Sequence, residues 1–297
     1  MCEYFRYQCK TYLGFIYTVR SEPWEAVAAS YQCKALNGPI YTKIMLPFKL
    51  KKKGEIKMQV VEQSAELLAM TPNPLLLIER GGRVCYKSED KLECHNLGCC
   101  SIDRQTGKRL PPCDDCMQRA SKFVKGIIKR GHDSVLEHAS ATFLLITDRG
   151  MTHELVRHRI CSFSQESTRF CNYGNKGGEI SVIEPDLSEA REKYGKAQDL
   201  WRETMRKVEE AYLQMIEMKI APQWARSVLP TCLKTEIATT ANFREWRHMI
   251  GLRLNNKGGK AHPQIRALFR MILDELMQTE AAPIFEDIAK EAEEMED

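Results

Sequence analysis

The order of strand-like and helical segments after residue 58 is the feature that most constrains the fold. Segment 139–150, ASATFLLITDRG, is rich in residues that favour β-structure and has the nearly continuous apolar character of a buried strand. Segments 117–131 and 262–277 place apolar residues at spacings of three and four, which predicts amphipathic helices. Strands and long helices alternate irregularly, with no internal repeat and no GxGxxG motif. We therefore predict one α/β (α+β) domain, with a mixed or antiparallel sheet flanked by long helices, and not a Rossmann unit.

Shorter segments complete the predicted order of elements. Turn residues, helix caps and prolines mark most of the boundaries between them. We predict a short strand at 58–63, a helix at 73–87 that ends near Gly81 and Gly82, a helix at 151–159 capped by Thr152, a polar loop at 161–179, a long helix beginning at Ser188, a short helix at 222–230 ended by Pro230, a strand at 235–242 and a helix at 243–254.

Residues 1–57 differ in character from the rest of the chain. They show weak periodicity and scattered aromatic residues, and they end in the basic run KLKKKGEIK. The favoured interpretation of that run is a solvent-exposed tail, and a polybasic anchor is the functional alternative. A third hypothesis is that Met58 is the true start, because KKGEIKM can be encoded by a purine-rich ribosome-binding sequence before an ATG. We therefore treat 1–57 as an N-terminal extension, which the third hypothesis excludes from the native product.

The net charge of +4 is concentrated in that extension. It holds 10 of the 44 Lys and Arg and 4 of the 40 Asp and Glu, a net charge of +6, so the remainder of the chain carries −2. A nearly neutral body lacks the broad basic footprint of a nucleic-acid-binding protein. No apolar run approaches the roughly 20 residues that span a bilayer, and MCEYFRYQCK lacks the order of a secretory signal. These features predict a cytoplasmic protein without nucleic-acid or membrane partners.

Five of the 12 cysteines fall in one short stretch, which we interpret as a Cys-rich insertion at about 91–117. In a chain without an export signal, such a cluster indicates a metal site or reduced thiols rather than disulfides. Cys113 and Cys116 form a CxxC half-site for zinc, and two residues of ECHNLGCC would supply the other half. The candidate ligands are Cys94, His95, Cys99, Cys100, Cys113 and Cys116. A structural zinc site and an exposed loop of reduced cysteines both stay open.

Charged and hydroxyl side chains are concentrated in RHRICSFSQESTR, residues 157–169. Glu154, Arg157 and His158 lie at helical spacings of three and four, which places them on one face of the predicted helix. Three adjacent, potentially cationic side chains are costly unless an anion lies between them. The hydroxyls that follow, together with Arg169, suit a phosphate group. The segment therefore predicts an anion-binding site, although a solvent-facing basic helix end would explain any two of these residues.

This segment resembles the signature of the flavin-dependent thymidylate synthases, which is Arg-His-Arg, then seven residues, then Ser, here Ser167. The resemblance extends from about Met58 to the C-terminus and implies that 58–297 is the catalytic domain. Three further blocks occur in the family order: GHDSVLEHA with His132, Ser134 and Glu137, ARSVLP with Arg226, and NFREWRHMIGLR with Asn242, Arg244, His248 and Arg253, followed by AHPQ with His262. Gln165 and His248 depart from the Glu and Asn of some members, and the NNKGGK loop lengthens the gap before His262.

The resemblance implies the reductive methylation of dUMP to dTMP. The carbon would come from 5,10-methylenetetrahydrofolate and the hydride from FAD, which NADPH reduces, and tetrahydrofolate would be released. No cysteine nucleophile is expected, and Cys161 and Cys171 match no family catalytic position. The resemblance also implies a homotetramer with active sites shared between subunits. Residues 157–159 of one subunit and Asn242, Arg244 and His248 of another would hold the flavin.

Arg253 is the implied catalytic residue. Uracil C5 is a poor nucleophile, and a guanidinium near N3 and the C2 and C4 carbonyls would stabilise an anionic form that is electron-rich at C5. Since arginine stays protonated, Arg253 would act as an electrostatic activator and not as a base. The implied dUMP contacts are Glu154, Arg157, Gln165, Glu166, Ser167, Thr168, Arg169, Arg226 and Arg253. The implied FAD contacts are His132, Ser134, Arg157, His158, Arg159, Gln165, Asn242, Phe243, Arg244, His248 and His262.

Two alternatives from other classes stay open. A nucleic-acid-binding or regulatory protein would use the Cys cluster and the Arg-rich helices, but the near-neutral body argues against it. A catalytically inactive homologue is the other alternative. A yellow protein whose flavin spectrum responds to dUMP would indicate the enzyme. A colourless protein that FAD cannot reconstitute would indicate the nucleic-acid-binding or regulatory protein.

Overall fold

The computed structural model describes residues 58–92, 112–175, 179–187, 196–257 and 259–295. The N-terminal extension, the predicted helix start at Ser188, and Cys94, His95, Cys99 and Cys100 lie outside these residues. The strands are β1 (Gln59–Val60), β2 (Ser64–Met70), β3 (Ser140–Asp148), β4 (Cys161–Gln165), β5 (Ser181–Val182) and β6 (Lys234–Asn242). The helices are α1 (Pro74–Cys85), α2 (Asp114–Lys129), α3 (Arg149–Leu155), α4 (Ala197–Glu217), α5 (Pro222–Ala225), α6 (Phe243–Arg253), α7 (Pro263–Met277) and α8 (Glu286–Glu293).

Four antiparallel strands form the main sheet in the order β2–β3–β6–β4. The long strands β3 and β6 pair along their whole length, from Ser140 opposite Asn242 to Asp148 opposite Lys234. β1 and β5 form a separate parallel pair. The predicted α/β class with a mixed or antiparallel sheet is therefore confirmed.

Helices cover one face of the sheet and supply most of the core. Every second residue of β3 from Ala141 to Thr147 is buried, and the residues between them are half-buried, as the two-residue period of a strand dictates. α7 packs on β2 through apolar residues at spacings of three and four. Its buried residues are Ile265, Leu268, Phe269, Ile272, Leu273 and Leu276. A second, smaller core under α4 contains Tyr212 and Leu233.

The glycine pair Gly81 and Gly82 does not end a helix, contrary to the prediction. α1 continues through both residues to Cys85. A Cβ atom on Gly82 would lie 2.6 Å from the Phe123 ring, and one on Gly81 would lie 3.1 Å from His138. The glycines therefore serve close packing of α1 against α2 and the 3-10 turn Asp133–His138, and not helix termination.

Two further predictions near the signature were wrong. Part of the predicted loop at 161–179 is β4, which pairs with β6 at the edge of the sheet. Thr152 is not the cap of α3, because the Asp148 carboxylate accepts the Met151 N–H at 2.8 Å and the Thr152 hydroxyl donates to the Arg149 carbonyl inside the helix. α3 also ends at Leu155, so residues 157–159 follow the helix and do not continue it.

The predictions for 235–242 and 243–254 are confirmed within one residue. The predicted helix at 222–230 is the short helix α5 followed by the 3-10 turn Arg226–Val228, so only its first turn is α-helical. No helix in the described part of the chain is long and apolar enough to cross a bilayer.

Candidate active site

Two helices bring the central residues of the candidate site together. α3 follows β3 and α6 follows β6, and because these strands are antiparallel the helices begin at opposite ends of the sheet. Asp148 caps the first helix, and the Asn242 side chain caps the second by accepting the Glu245 N–H at 2.8 Å. The last turns of the two helices meet where Glu154 contacts Arg253.

The Arg253 guanidinium is held by three contacts. Its NH1 group donates to the Glu154 carboxylate at 2.9 Å, and its NH2 group donates to the Glu154 carbonyl at 3.3 Å. NH2 also lies 3.3 Å from Nε2 of His158. The buried Nε–H of Arg253 has no hydrogen-bond partner among the described residues. The position of the charge is thus fixed, while part of its donor capacity is unused.

His158 is a buried, neutral imidazole. Burial first, and then the nearby Arg253 and His248, lower the pKa of His158 to about 4. Since arginine can only donate, Nε2 must accept from Arg253, and the ring proton must therefore be on Nδ1. The sequence suggested three adjacent cations at 157–159, but at neutral pH only Arg157 and Arg159 are charged, and both are exposed.

Glu245 is a member of this cluster that sequence reasoning missed. Its carboxylate is buried and lies 3.6 Å from Nδ1 of His158, beyond hydrogen-bond distance but facing the N–H edge of the ring. Burial raises the pKa of Glu245, and His248 and Arg244 partly oppose this. The position of Glu245, eight residues before Arg253 on α6, was visible in the sequence, but nothing there indicated that it faces His158.

His158, Glu245 and His248 also present potential metal-ligand atoms within 4.8 Å of one another. His and Glu nitrogen and oxygen atoms are ordinary zinc ligands. The Arg253 guanidinium, however, already faces Nε2 of His158. A cation at this place would therefore lie beside a fixed positive charge, which disfavours it.

A cleft of about 750 Å³ opens beside this cluster. Asn242, Arg244 and His248 line it, and Arg244 forms an ion pair with Glu137 at 2.5 Å. The rings of His158 and His248 are 6.2 Å apart in the same chain. The expectation that His158 of one subunit and His248 of another hold the same flavin stays a prediction. Phe243 lies in the core against Phe285, so its side chain cannot line the cleft as expected for a flavin contact.

The residues after the signature arginines form a second group around β4 and the start of β6. The Gln165 amide donates to the hydroxyls of Thr152 and Thr235, at 2.9 and 3.3 Å. Glu166 accepts from the Tyr173 hydroxyl at 3.0 Å. Burial first, and then the Glu166 carboxylate, raise the pKa of Tyr173.

The other members of this second group are Ser167, Thr168, Arg169 and Arg226. The Ser167 hydroxyl accepts the Arg169 N–H at 3.3 Å, and Arg226 donates to Thr168 at 3.4 Å. Arg169 and Arg226 are both exposed. The group therefore presents two accessible guanidiniums beside a hydroxyl-bearing turn.

The remaining predicted flavin contacts lie in two other clefts. His132 and Ser134 line a cleft of about 670 Å³ between α1 and α2. His262 caps α7, where its Nδ1 accepts the Gln264 N–H at 3.2 Å, and it lines a cleft of about 680 Å³. One chain thus brings the Arg253 cluster together with Asn242, Arg244 and His248, and distributes the other predicted residues elsewhere.

The cysteines near these groups have contrasting surroundings. Cys116 is buried on α2 and accepts a guanidinium N–H of Arg119 at 3.6 Å, while Cys113 precedes that helix. The zinc prediction also needs ligands outside the described residues, so it stays a prediction.

Burial, and then Glu245, raise the pKa of Cys161 to about 12, so this thiol is protonated at neutral pH.

Comparison with known proteins adds independent information. Residues 66–283 match the family model described as thymidylate synthase complementing protein (Thy1). The flavin-dependent thymidylate synthase of Corynebacterium efficiens is 34% identical over 228 residues, which cover 72% of this chain and 80% of the relative. That of Geobacter sulfurreducens is 33% identical over 222 residues, which cover 74% of this chain and 84% of the relative.

A solved structure shares the fold. It is the UMP/dUMP methylase PolB from Streptomyces cacaoi bound with 5-Br dUMP, with a TM-score of 0.59 at 19% sequence identity. The match covers 77% of this chain and 97% of the other. At that identity the likeness supports the architecture and not the activity.

Proposed function

Because this chain belongs to the flavin-dependent thymidylate synthase family, we propose that it methylates dUMP to give dTMP. The carbon comes from the methylene group of 5,10-methylenetetrahydrofolate, the C5 proton of dUMP leaves, and tetrahydrofolate is released. NADPH is the ultimate reductant. The observation that carries the proposal best is the guanidinium of Arg253, held between Glu154 and a neutral His158.

Arg253 is the proposed catalytic residue. A fixed cation beside the N3, C2 and C4 edge of uracil favours the negatively charged, enolate-like form, and this form has more electron density at C5. Glu154 holds the guanidinium in place without protonating or deprotonating it. His158, being neutral, accepts a hydrogen bond from Arg253 and does not repel it. The arrangement favours electrostatic activation by Arg253 and not proton abstraction by it, because arginine stays protonated.

The donor set of the cleft beside Arg253 fits FAD. A dinucleotide carries two phosphates, which arginine binds well. Arg244 and His248 line the cleft with a guanidinium and an accessible imidazole, and exposed Arg157 and Arg159 lie just before its lining residue Ile160 in the chain. Asn242 uses its side-chain oxygen as a helix cap, which leaves its NH2 group as a donor. The chemistry that FAD supplies when bound is hydride transfer, and the role of these residues is to bind and orient it.

The second group, Ser167 to Arg169 with Arg226, is proposed to bind the dUMP phosphate. Two accessible guanidiniums and the hydroxyls of a turn suit a phosphate dianion. Gln165 and Glu166 are held by internal contacts, so we propose that they shape the turn and that its backbone and hydroxyls meet the ligand. Glu154 and Arg157 complete the proposed set of dUMP contacts.

We further propose a homotetramer in which neighbouring subunits complete each site. The residues of one proposed site occupy several clefts of a single chain, so another copy is needed to bring them to one substrate. Two large apolar residues beside the signature, Ile160 and Phe170, are 69% and 77% exposed. Such exposed apolar groups next to a charged site are typical of a surface that a partner covers.

An assay that omits one component at a time tests the proposed function. The purified protein is mixed with dUMP, methylenetetrahydrofolate, FAD and NADPH, and dTMP is separated by chromatography. We expect dTMP only in the complete mixture, and a flavin absorbance that dUMP perturbs. A protein that neither retains FAD nor forms dTMP would contradict the proposal and favour the binding-protein alternative.

A further inference from the structure

The cleft between the C-terminal ends of α1 and α2 contains, besides His132 and Ser134, cationic and aromatic side chains that the proposed sites above leave unused. It measures about 670 Å³ and adjoins the cleft beside Arg253, because Asp133 and Arg244 line both. His132 and Ser134, on the 3-10 turn Asp133–His138 and just before it, form one wall. Any co-substrate that meets the proposed flavin can therefore extend into this second cleft.

Positive charge dominates the lining of this cleft. Arg83, Lys91, Arg130 and Arg244 line it, against one carboxylate, Asp133. Arg83 and Arg244 already have partners in Glu79 and Glu137. Lys91 and Arg130 are exposed and form no ion pair with any described carboxylate. Two cations from separate elements thus remain available for an anionic ligand.

Aromatic surface lies next to these cations. Tyr86 is 70% exposed at the rim, although a large aromatic side chain normally gains by burial. Phe123 forms part of the floor, where the absence of a side chain at Gly82 admits its ring and Arg83 covers it at 4.6 Å. The cleft therefore offers flat apolar surface together with separated positive charges.

We propose that this cleft binds the aminobenzoyl-glutamate end of the folate co-substrate, with the aryl ring against Tyr86 and the glutamyl carboxylates on Lys91 and Arg130. This inference rests on the proposed function. A glutamyl chain carries separated carboxylates, which match cations on two different elements. A nucleotide phosphate fits less well, because it concentrates its charge on one group, whereas Lys91 and Arg130 are separate cations on two elements.

Steady-state kinetics with two forms of methylenetetrahydrofolate, carrying one or three glutamates, test the proposal. We expect the wild type to have a lower KM for the triglutamate. In the double variant Lys91→Gln/Arg130→Gln, the KM for the triglutamate should rise roughly tenfold or more, since a charged hydrogen bond is worth about one factor of ten. The kcat and the flavin absorbance should not change. Lys129→Gln, an exposed neighbour on the same helix, is the matched control and should behave as wild type.

Each other outcome has a definite meaning. Equal KM values of the wild type for the two folates, or no effect of the double variant, would overturn the proposal. In the double variant, a raised KM for NADPH but not for NADH would assign the cleft to a nucleotide phosphate, and weaker flavin binding would assign the cleft to FAD. Either result would also overturn the proposal. A wild type that forms no dTMP with either folate contradicts the proposed function itself, before any variant is compared.

Discussion

At the scale of single residues, the contact between Arg253 and His158 determines which ring nitrogen carries the proton. Arg253 requires a lone pair on Nε2, which leaves the proton on Nδ1 facing Glu245. A carboxylate there favours this tautomer, because the alternative would direct a lone pair at a negative charge. Glu245 is therefore a proposed positioning residue that acts on Arg253 through His158.

Substitution of Glu245 tests this role. Glu245→Gln keeps an oxygen that can accept from Nδ1–H and should retain most of kcat. Glu245→Leu removes the charge that favours one tautomer and should lower kcat about fivefold, since roughly 1 kcal/mol of lost positioning corresponds to that factor. The 15N chemical shifts of the His158 ring should show protonated Nδ1 in the wild type and the Gln variant, and a mixture in the Leu variant. Unaltered shifts and kcat in Glu245→Leu would refute the relay.

The low pKa of His158 predicts a specific dependence of stability on pH. An unfolded histidine titrates near 6.5, whereas His158 in the folded protein has a pKa of about 4. Between these values the unfolded state binds more protons, so the free energy of unfolding rises with pH. The contribution is present above about pH 6.5 and is lost as the pH falls to about 4, with a total of about 3 kcal/mol.

Unfolding at a series of pH values, at one protein concentration, measures this effect. His158→Asn keeps a side-chain acceptor for Arg253 but cannot titrate in this range. The difference in unfolding free energy between wild type and variant should therefore change with pH between about 6.5 and 4. A difference that is constant over this range would show that His158 is not the titrating group.

At the scale of elements, glycines within two helices predict opposite effects of the same substitution. A Cβ on Gly82 of α1 would lie 2.6 Å from the Phe123 ring, so Gly82→Ala should destabilise the protein by roughly 1–3 kcal/mol through overpacking. On α2, the nearest group to a Cβ on Gly126 is the flexible end of Arg130, at 3.4 Å. Gly126→Ala should therefore stabilise by about 0.5–1 kcal/mol. Thermal unfolding of both variants measures these effects. Melting-temperature shifts of the same sign in the two variants would contradict this packing account.

Some sequence patterns predict an element by themselves, whereas other elements form only because a neighbouring element pairs or packs with them. The alternating, β-branched character of 235–242 predicts β6 directly, because the strand is central and half its residues are buried. CSFSQ is short and polar, and it becomes β4 only because β6 offers it an edge to pair with. From sequence alone, Gly81 and Gly82 predict a helix end. The packing against α2 that explains these glycines involves residues distant in sequence, so the local pattern does not reveal it.

At the scale of the whole molecule, the set of functional residues was easier to predict than its arrangement. The Arg-His-Arg segment and the α6 segment indicated the family, and the comparisons confirm that family. The contact of Glu154 with Arg253 spans 99 residues and depends on the antiparallel pairing of β3 and β6. The position of Glu245 against His158 depends on the same pairing, which explains why its role was missed.

Formation of dTMP by Arg253 variants tests the central claim most directly. The account predicts that Arg253→Ala lowers kcat by about 100- to 1,000-fold, the usual effect of removing one preorganised charge-stabilising donor, while FAD stays bound. Arg206→Ala, an exposed residue on α4, should match the wild type. An Arg253→Ala enzyme that binds FAD and turns over at the wild-type rate would contradict the account.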